Sequence, residues 1–192
     1  MPPKLKKTWR GSLLILMLSG TTALAQTQPD PELRRLLIEA ANDSSSFEDR
    51  FDAEVWLTDM SGRLARQVPE TRKRLQLLKQ IHFEATRNGL YPELVLAVID
   101  IESNFDRFAI SSAGAIGLMQ VMPFWLQEIG RPDDNLVNAQ TNLRMGCTIL
   151  KYYLDLENQD LIRGLARYNG STGRRKYGDL VIDRLNRKWY RN

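Results

Sequence analysis

The chain of 192 residues has only one cysteine and one histidine, Cys147 and His82. A single cysteine excludes an internal disulfide, and the two counts together exclude a zinc site built from several Cys or His ligands. A Cys–His pair stays open. Cys147 has apolar neighbours at helical spacing, which favours burial over a nucleophilic role, and we expect His82 on a helix as a packing or surface residue.

The sequence also lacks the alternation of apolar and polar residues that indicates a substantial sheet. Segments with helical periodicity take its place, so we predict an all-α protein. Ser46 is expected to cap the second helix, and a turn is expected at Ser61–Gly62. Helices are predicted at 32–41, 47–60, 69–88, 92–103, 142–157, 161–168 and 179–190, with a short helix pair broken at Pro123.

No apolar run reaches transmembrane length. The first one, residues 13–18, follows a basic start and precedes small residues at Ala23 and Ala25, which is the pattern of a secretory signal peptide. We therefore predict a signal peptide over residues 1–25 and no stable membrane insertion after cleavage, with an uncleaved anchor as the alternative. A linker and helical extension over 26–88 and a main domain over 89–192 are expected to follow.

The formal charge of +4 lies in the predicted signal peptide, where four basic residues stand without an acidic one. The rest of the chain is balanced but polarised, because the part from Arg163 onward has nine basic and two acidic residues. A basic end can bind nucleic acid, but an exported protein has little access to it, and we expect no nucleic-acid partner. We expect the basic end to dock on the acidic body of its own domain or to face an anionic polymer.

A single carboxylate ends an almost wholly apolar helix. Positions 94–99 are all apolar, and Glu102 follows on a core-facing stripe. Desolvation and the negative end of the helix dipole both favour a protonated carboxyl, as a general acid requires near neutral pH. The alternative is a carboxylate bound by backbone N–H groups of the next loop. Asp100 is predicted to point to another side of the helix, and Asp106 to form a local cap or turn.

The loop after Glu102 combines glycines with small polar and soft apolar side chains. Gly114 and Gly117 allow backbone conformations closed to other residues and a close approach of a ligand to the main chain. The accompanying side chains are Ser111, Ser112, Met119, Gln120 and Met122. Small polar groups beside apolar walls suit a sugar, whose hydroxyls lie at its rim and whose C–H groups lie on its faces. A purely structural glycine-rich loop is the alternative.

Three separated motifs in this region resemble a known family. The segments "ESNF" at 102–105, "SSAGAIGLMQVMP" at 111–123 and "ARYNG" at 166–170 resemble the three motifs of the soluble lytic transglycosylase (SLT domain) family of the lysozyme superfamily. The resemblance covers about residues 90–170. It implies an all-α, lysozyme-like (goose-type) lytic transglycosylase domain over 89–192, with the earlier residues as an N-terminal helical extension.

The resemblance also implies roles for individual residues. Glu102 would be the sole catalytic acid and base. Ser103 is expected to make a helix-end hydrogen bond, and Phe105 to lie in the core. The substrate-binding residues would be Ser111 at the N-acetyl group, Gln120 and Met122 beside the scissile bond with Met119 nearby, and Tyr168 and Asn169 facing Glu102.

Two departures from the family pattern stand out. Arg167 occupies a position before the motif tyrosine where the family often has alanine. Phe124 and Trp125 are bulkier than the usual small residues, and core packing of Trp125 is favoured over stacking on a sugar.

The resemblance implies cleavage of peptidoglycan between N-acetylmuramic acid (MurNAc) and N-acetylglucosamine (GlcNAc). The reaction would consume no water, leave 1,6-anhydro-MurNAc ends and need no metal or cofactor. Peptidoglycan glycan strands would be the partner and the periplasm the location, while any envelope or secretion-machinery partner stays unidentified. The alternatives are a muramidase-type hydrolase like goose-type lysozyme and a non-catalytic wall-binding or assembly module.

Overall fold

The computed structural model describes residues 31–42 and 45–190. Over these ranges the protein is helical, and its only extended pairings are isolated bridges from Ile116 to Ile110 and to Val121. The predicted all-α architecture is confirmed. The predicted signal peptide over residues 1–25, and the start of the linker that follows it, lie outside the described residues.

Eight α-helices and a terminal π-helical segment make up the described chain. They are α1 (Pro31–Asn42), α2 (Arg50–Leu64), α3 (Thr71–Arg87), α4 (Pro92–Glu102), α5 (Trp125–Ile129), α6 (Ala139–Leu156), α7 (Leu161–Tyr168), α8 (Lys176–Arg184) and the π segment (Leu185–Trp189).

The start of α2 differs from the prediction. The cap is Asp49, whose Oδ1 accepts from the Asp52 N–H at 2.8 Å. Ser46 lies before the helix, where its hydroxyl hydrogen-bonds His82 Nδ1 at 2.8 Å. Ser and Asp both cap helices well. Because the Ser46 hydroxyl is bound to the buried imidazole of His82, Asp49 provides the cap instead.

The predicted turn at Ser61–Gly62 is wrong, because α2 continues through both residues. Ser61 is buried and its hydroxyl accepts from Arg74 Nε at 2.9 Å. This contact joins α2 to α3 and holds Ser61 inside the helix despite its modest helical preference.

Two further elements differ from the sequence pattern. Only one short helix, α5, forms around Pro123, since Gln120 takes a left-handed conformation (φ 48°) that stops a helix before the proline. The closing helix starts at Lys176, inside a stretch predicted as polar loop, and its last turn widens into the π segment.

Helix α4 lies at the centre of the molecule, with Leu94 to Asp100 buried without interruption. It packs against α3 on one side and against α8 and the π segment on the other. One hydrophobic cluster runs from Leu36 in α1 to Trp189 in the π segment. The predicted extension therefore shares its core with the rest of the chain, and the division at residue 88 stays a prediction.

The rare side chains Cys147 and His82 are both buried and separate. Cys147 lies 3.9 Å from Met119 Sδ, and burial raises the pKa of its thiol. His82 stacks on Phe47 with ring centroids 3.5 Å apart, and burial lowers its pKa to about 4. The imidazole is neutral and packed, and the Cys–His pair left open by the sequence does not form.

Two residues of the basic C-terminal part, Arg184 and Lys188, dock on an acidic group of the same domain, which is one of the two predicted outcomes. Asp100, whose side chain is only 1% exposed, accepts from Arg184, from Lys188 Nζ at 2.9 Å and from Trp189 Nε1 at 3.0 Å. These bonds fix the end of α8 and the π segment against α4. They also confirm that Asp100 points to another side of the helix than Glu102.

Within residues 31–42 and 45–190, no helix combines the length and the hydropathy needed to cross a bilayer.

Candidate active site

Glu102 is the last residue of α4 and is half-buried. The helix ends there because Ser103 caps it: the Ser103 N–H donates to Ile99 O at 3.0 Å, and its hydroxyl donates to Leu118 O at 2.8 Å. The predicted helix-end role of Ser103 is confirmed. The second bond connects the helix end to the glycine-containing loop.

The chain reverses immediately after this cap. Asn104 and Phe105 both take left-handed conformations, with φ of 50° and 67°. Such residues need support from their surroundings, and Phe105 has it, since it is buried against Trp189 with ring centroids 5.5 Å apart. Asp106 Oδ1 accepts from the Phe108 N–H at 2.9 Å, which confirms its predicted local role.

The Tyr177 hydroxyl donates a hydrogen bond to Glu102 Oε1 at 2.5 Å. Burial raises the pKa of Glu102, and hydrogen bonding from Tyr177 and Asn169 offsets part of that rise. Because burial is the largest of these influences, the carboxyl retains its proton to higher pH than an exposed glutamic acid does. This is the protonation state a general acid needs.

Tyr177 was not among the residues selected from the sequence. It lies in the first turn of α8, within the stretch interpreted as a polar loop. The sequence did indicate that a helix could start here, because Tyr177 and the apolar Val181 are four residues apart and would share one helical face.

Tyr168 and Asn169 end α7 beside the same carboxyl. The Tyr168 hydroxyl donates to Met119 O at 2.6 Å, and burial together with the charge of Glu102 raises its pKa well above the ordinary value. Tyr168 therefore connects α7 to the loop, and the hydrogen bond to Glu102 is made by Tyr177. Asn169 is exposed and is the motif residue whose side chain lowers the pKa of Glu102.

The loop from 109 to 122 is held together by its own polar groups. Ser111 Oγ accepts from the Ala115 N–H at 3.0 Å, which still leaves its hydroxyl proton available to a ligand. Gln120 Nε2 donates to Ala109 O at 3.2 Å and to Gly117 O at 3.0 Å. Its amide oxygen remains as an acceptor on this half-buried side chain.

One buried residue of α6, Asn142, anchors the loop to the helices. Its Nδ2 donates to Ile116 O at 2.8 Å and to Leu136 O at 2.9 Å, and its Oδ1 accepts from the Met119 N–H at 2.8 Å. A Cβ on Gly117 would come within 2.4 Å of Asn142 Nδ2. Gly117 therefore accommodates this anchor rather than a ligand, whereas Gly114 (φ 87°) has open space around it.

Met119 differs from the expected substrate contact. Its side chain is fully buried and lies against Gly146 and Cys147. It contributes to the site through its backbone carbonyl, which accepts from Tyr168. Met122 is half-buried at the end of the loop.

Residues 79–188 match the family model described as the Transglycosylase SLT domain, which is more than half of the chain. The chain belongs to the transglycosylase SLT family. With the helical architecture, this confirms the predicted family and fold class. The match begins inside α3, ten residues before the domain start expected at 89.

Curated relatives of this SLT protein share short to medium segments with it. Membrane-bound lytic murein transglycosylase C of Histophilus somni (strain 2336) is 32% identical over 131 residues, which cover 57% of this chain and 36% of the relative. The protein of the same name from Actinobacillus pleuropneumoniae serotype 5b (strain L20) is 46% identical over 48 residues, covering 25% and 13%. The transglycosylase of Enterobacteria phage PRD1 is 31% identical over 104 residues, covering 54% and 38%. The chain thus spans well under half the length of these relatives.

Two solved structures are also similar to the chain. The lytic transglycosylase Slt of Pseudomonas aeruginosa aligns with 21% identity and a TM-score of 0.47, over 81% of this chain and 34% of that one. The 70 kDa soluble lytic transglycosylase of Escherichia coli aligns with 20% identity and a TM-score of 0.44, over 83% and 26%.

A second carboxylate does not accompany Glu102 in the described part of this SLT domain. Asp100 is bound by the C-terminal cations and Asp106 caps its own turn. The influences on the pKa of Glu102 are burial, Tyr177 and Asn169, with no other acid among them. The described residues also contain no group of three or more His, Cys, Asp or Glu side chains arranged to hold a metal ion.

The two departures from the family pattern have different surroundings. Trp125 is half-buried, with its ring centroid 5.1 Å from that of Phe124 and 6.5 Å from that of Tyr153. Arg167 forms an ion pair with the buried Glu157.

Proposed function

We propose that this SLT protein is a lytic transglycosylase that cuts the MurNAc–GlcNAc bond of peptidoglycan and leaves 1,6-anhydro-MurNAc ends. The observation that carries the proposal is the Glu102 carboxyl, with its raised pKa and its 2.5 Å bond from Tyr177. The names of the relatives, lytic murein transglycosylases, support the same reaction class.

In the first step, protonated Glu102 donates its proton to the glycosidic oxygen. The bond from that oxygen to MurNAc C1 breaks, and GlcNAc leaves with a free 4-hydroxyl. The positive charge at C1 is taken up by the carbonyl oxygen of the sugar's own N-acetyl group. This substrate assistance replaces the second carboxylate that most glycosidases use, which fits the engagement of Asp100 and Asp106 elsewhere.

In the second step, Glu102 is ionised and acts as the base. It removes the proton from the C6 hydroxyl of the same sugar, and O6 attacks C1 as the acetamido oxygen departs. The product is the 1,6-anhydro ring, and Glu102 is protonated again for the next cycle. Tyr177 stabilises the ionised form between the two steps by donating to Oε1.

The remaining motif residues are proposed to bind the sugar around this carboxyl. Ser111 has a hydroxyl proton for the N-acetyl group, Gln120 has a free amide oxygen, and Asn169 is exposed beside Glu102. Met122 provides apolar surface near the scissile bond. We propose the periplasm as the location, because peptidoglycan lies there.

The decisive experiment digests intact sacculi with the purified protein and identifies the products by mass spectrometry. Muropeptides with 1,6-anhydro ends are expected from the wild type. Glu102→Gln keeps the shape of the side chain but has no transferable proton, so turnover is expected to fall by at least about a thousandfold with helical circular dichroism unchanged.

Glu93→Gln is the matched control for that variant. It makes the same change near the other end of α4, where Glu93 Oε1 accepts from Trp56 Nε1 at 2.7 Å, and it should leave turnover within about twofold. Reducing-end products without the anhydro ring would instead indicate a muramidase. Equal background release by the wild type and Glu102→Gln would indicate a wall-binding module.

A further inference from the structure

Helix α7 carries two arginines on one face, and one buried carboxylate orients both. Arg163 Nε lies 2.6 Å from Glu157 Oε2, and Arg167 Nε pairs with Glu157 Oε1. Glu157 is only 5% exposed, while Arg163 is 69% and Arg167 is 36% exposed. Both contacts use Nε, and each guanidinium has two further Nη groups that can donate hydrogen bonds.

These arginines line a cavity of about 650 Å³ together with Thr172, Arg174, Arg175 and the helix-capping Asp160, so its lining is basic overall. Arg175 pairs with Asp179 at 3.2 Å, and Arg174 has no ion pair among the described residues. The cavity also adjoins the start of α8, where no side chain caps the first N–H groups. Arginines and free helical N–H groups together favour an anion.

Several residues that line the cavity are close in sequence to residues of the proposed reacting centre. Arg167 directly precedes Tyr168 and Asn169, and Arg175 is two residues before Tyr177. Residues 172–175 line the cavity, and they lie in the chain between Asn169 and Tyr177, the two residues that lower the pKa of Glu102. Because the same short stretch of chain contributes to the cavity and to the surroundings of Glu102, we take a charged branch of a sugar held at Glu102 as the candidate ligand.

We propose that this cavity binds carboxylates of the peptide stem, the short acidic peptide attached to MurNAc, with Arg163, Arg167 and Arg174 as the donors. The inference rests on the proposed function, since it takes peptidoglycan as the substrate. The planar guanidinium fork of arginine matches the geometry of a carboxylate. Arg167 stands where the family often has alanine, so the site belongs to this chain's own sequence.

The test compares glycan strands that carry stems with strands from which an amidase has removed them. The full-length protein and the variants Arg163→Gln and Arg174→Gln are assayed on both substrates. Each variant is expected to lose about fivefold in kcat/KM on stem-bearing strands, as for a partly exposed charged hydrogen bond, and to match the wild type on stem-free strands. A folding defect lowers both values together and cancels in their ratio.

Arg187→Gln is the control. Arg187 is 79% exposed, pairs with Asp183 and does not line the cavity, so the variant removes an exposed arginine charge elsewhere on the surface. Its ratio should equal that of the wild type. The same ratio in Arg163→Gln and Arg174→Gln as in the wild type would overturn the stem site.

A second readout separates this inference from the proposed function. In the Glu102→Gln background, retention on the two kinds of strand is measured by sedimentation, with and without Arg163→Gln. One outcome is that the wild type cuts neither substrate, while retention depends on the stems and on Arg163. That result would support the stem site and contradict the proposed enzymatic function. Cleavage of both kinds of strand, with no effect of the arginine substitutions, would support the enzymatic function and contradict the stem site. A third outcome is that a phosphate-rich polymer competes for retention only when Arg163 is present, while the ratio of kcat/KM on stem-bearing and stem-free strands is unchanged by the arginine substitutions. That result would assign the cavity to another anion and overturn the stem site.

Discussion

Two tyrosines beside Glu102 have different hydroxyl partners, which makes their roles separable. Tyr177→Phe removes the bond that offsets the burial of Glu102, so the pKa of the carboxyl should rise further. A general acid works only while protonated, so activity is lost as pH rises through that pKa. We expect the alkaline limb of the pH–rate profile to move to higher pH, with turnover lower by about tenfold because the carboxyl is less well oriented.

Tyr168→Phe is the matched comparison. It removes the donor to Met119 O and should lower the free energy of unfolding by about 1 kcal/mol, while the alkaline limb stays in place. A profile that moves equally in both variants would show that the shift reflects general loosening of the site.

Glycines on two helices differ in what a methyl group would meet. At Gly62 in α2, a Cβ has nothing within 4 Å, so Gly62→Ala should raise the free energy of unfolding by about 0.5–1 kcal/mol through helix propensity. At Gly146 in α6, a Cβ would come within 2.5 Å of Met119 Sδ and 2.7 Å of its Cβ. Gly146→Ala should therefore cost about 2 kcal/mol or more.

Urea unfolding of the two variants measures both changes in the free energy of unfolding, an increase for Gly62→Ala and a decrease for Gly146→Ala. Because Met119 connects the core to the loop and to Tyr168, Gly146→Ala should also reduce turnover, whereas Gly62→Ala should not. Stabilisation by both substitutions would mean that the Met119 contact yields easily.

The helices that local patterns define well were predictable. Helix α7 matches its predicted range of 161–168, because Asp160 caps it and a loop follows at once. The errors in α2 come from long-range contacts, since His82 binds Ser46 and Arg74 holds Ser61 in the helix. Such contacts join residues far apart in sequence and leave no mark in local periodicity.

The site shows the same division. Glu102 could be selected because a lone acid in an apolar helix is anomalous, and three motifs placed its surroundings. Asn142 could not be selected, because its importance depends on partners that only folding brings near. The helical spacing of Tyr177 and Val181 was visible in the sequence, but it did not reveal that Tyr177 binds Glu102, which is 75 residues away. The side chain of Met119 was assigned to the cleft, but its rotamer directs it into the core.

At the scale of the whole protein, the basic C-terminal part is held to the helical core by the ion pairs of Arg184 and Lys188 with the buried Asp100. Asp100→Asn would leave the positive charges of Arg184 and Lys188 without their buried counter-ion, at a cost of about 3 kcal/mol in the free energy of unfolding. Amide hydrogen exchange should rise first in residues 185–190, whose packing depends on these bonds.

Asp183→Asn breaks an exposed pair with Arg187 in the same region and should change stability by less than about 0.5 kcal/mol. Equal effects of the two aspartate variants on exchange would mean that the C-terminal part is held by apolar packing alone.

The contact between Glu102 and Tyr177 joins positions 75 residues apart. On the ribosome, the carboxyl is therefore made well before the hydroxyl that orients it, and helix α8 must dock before the two can meet. A nascent chain that already holds the acid and its loop still lacks the finished centre. The site is therefore complete only when the tertiary structure is complete, and a partly synthesised chain lacks the hydroxyl that orients Glu102.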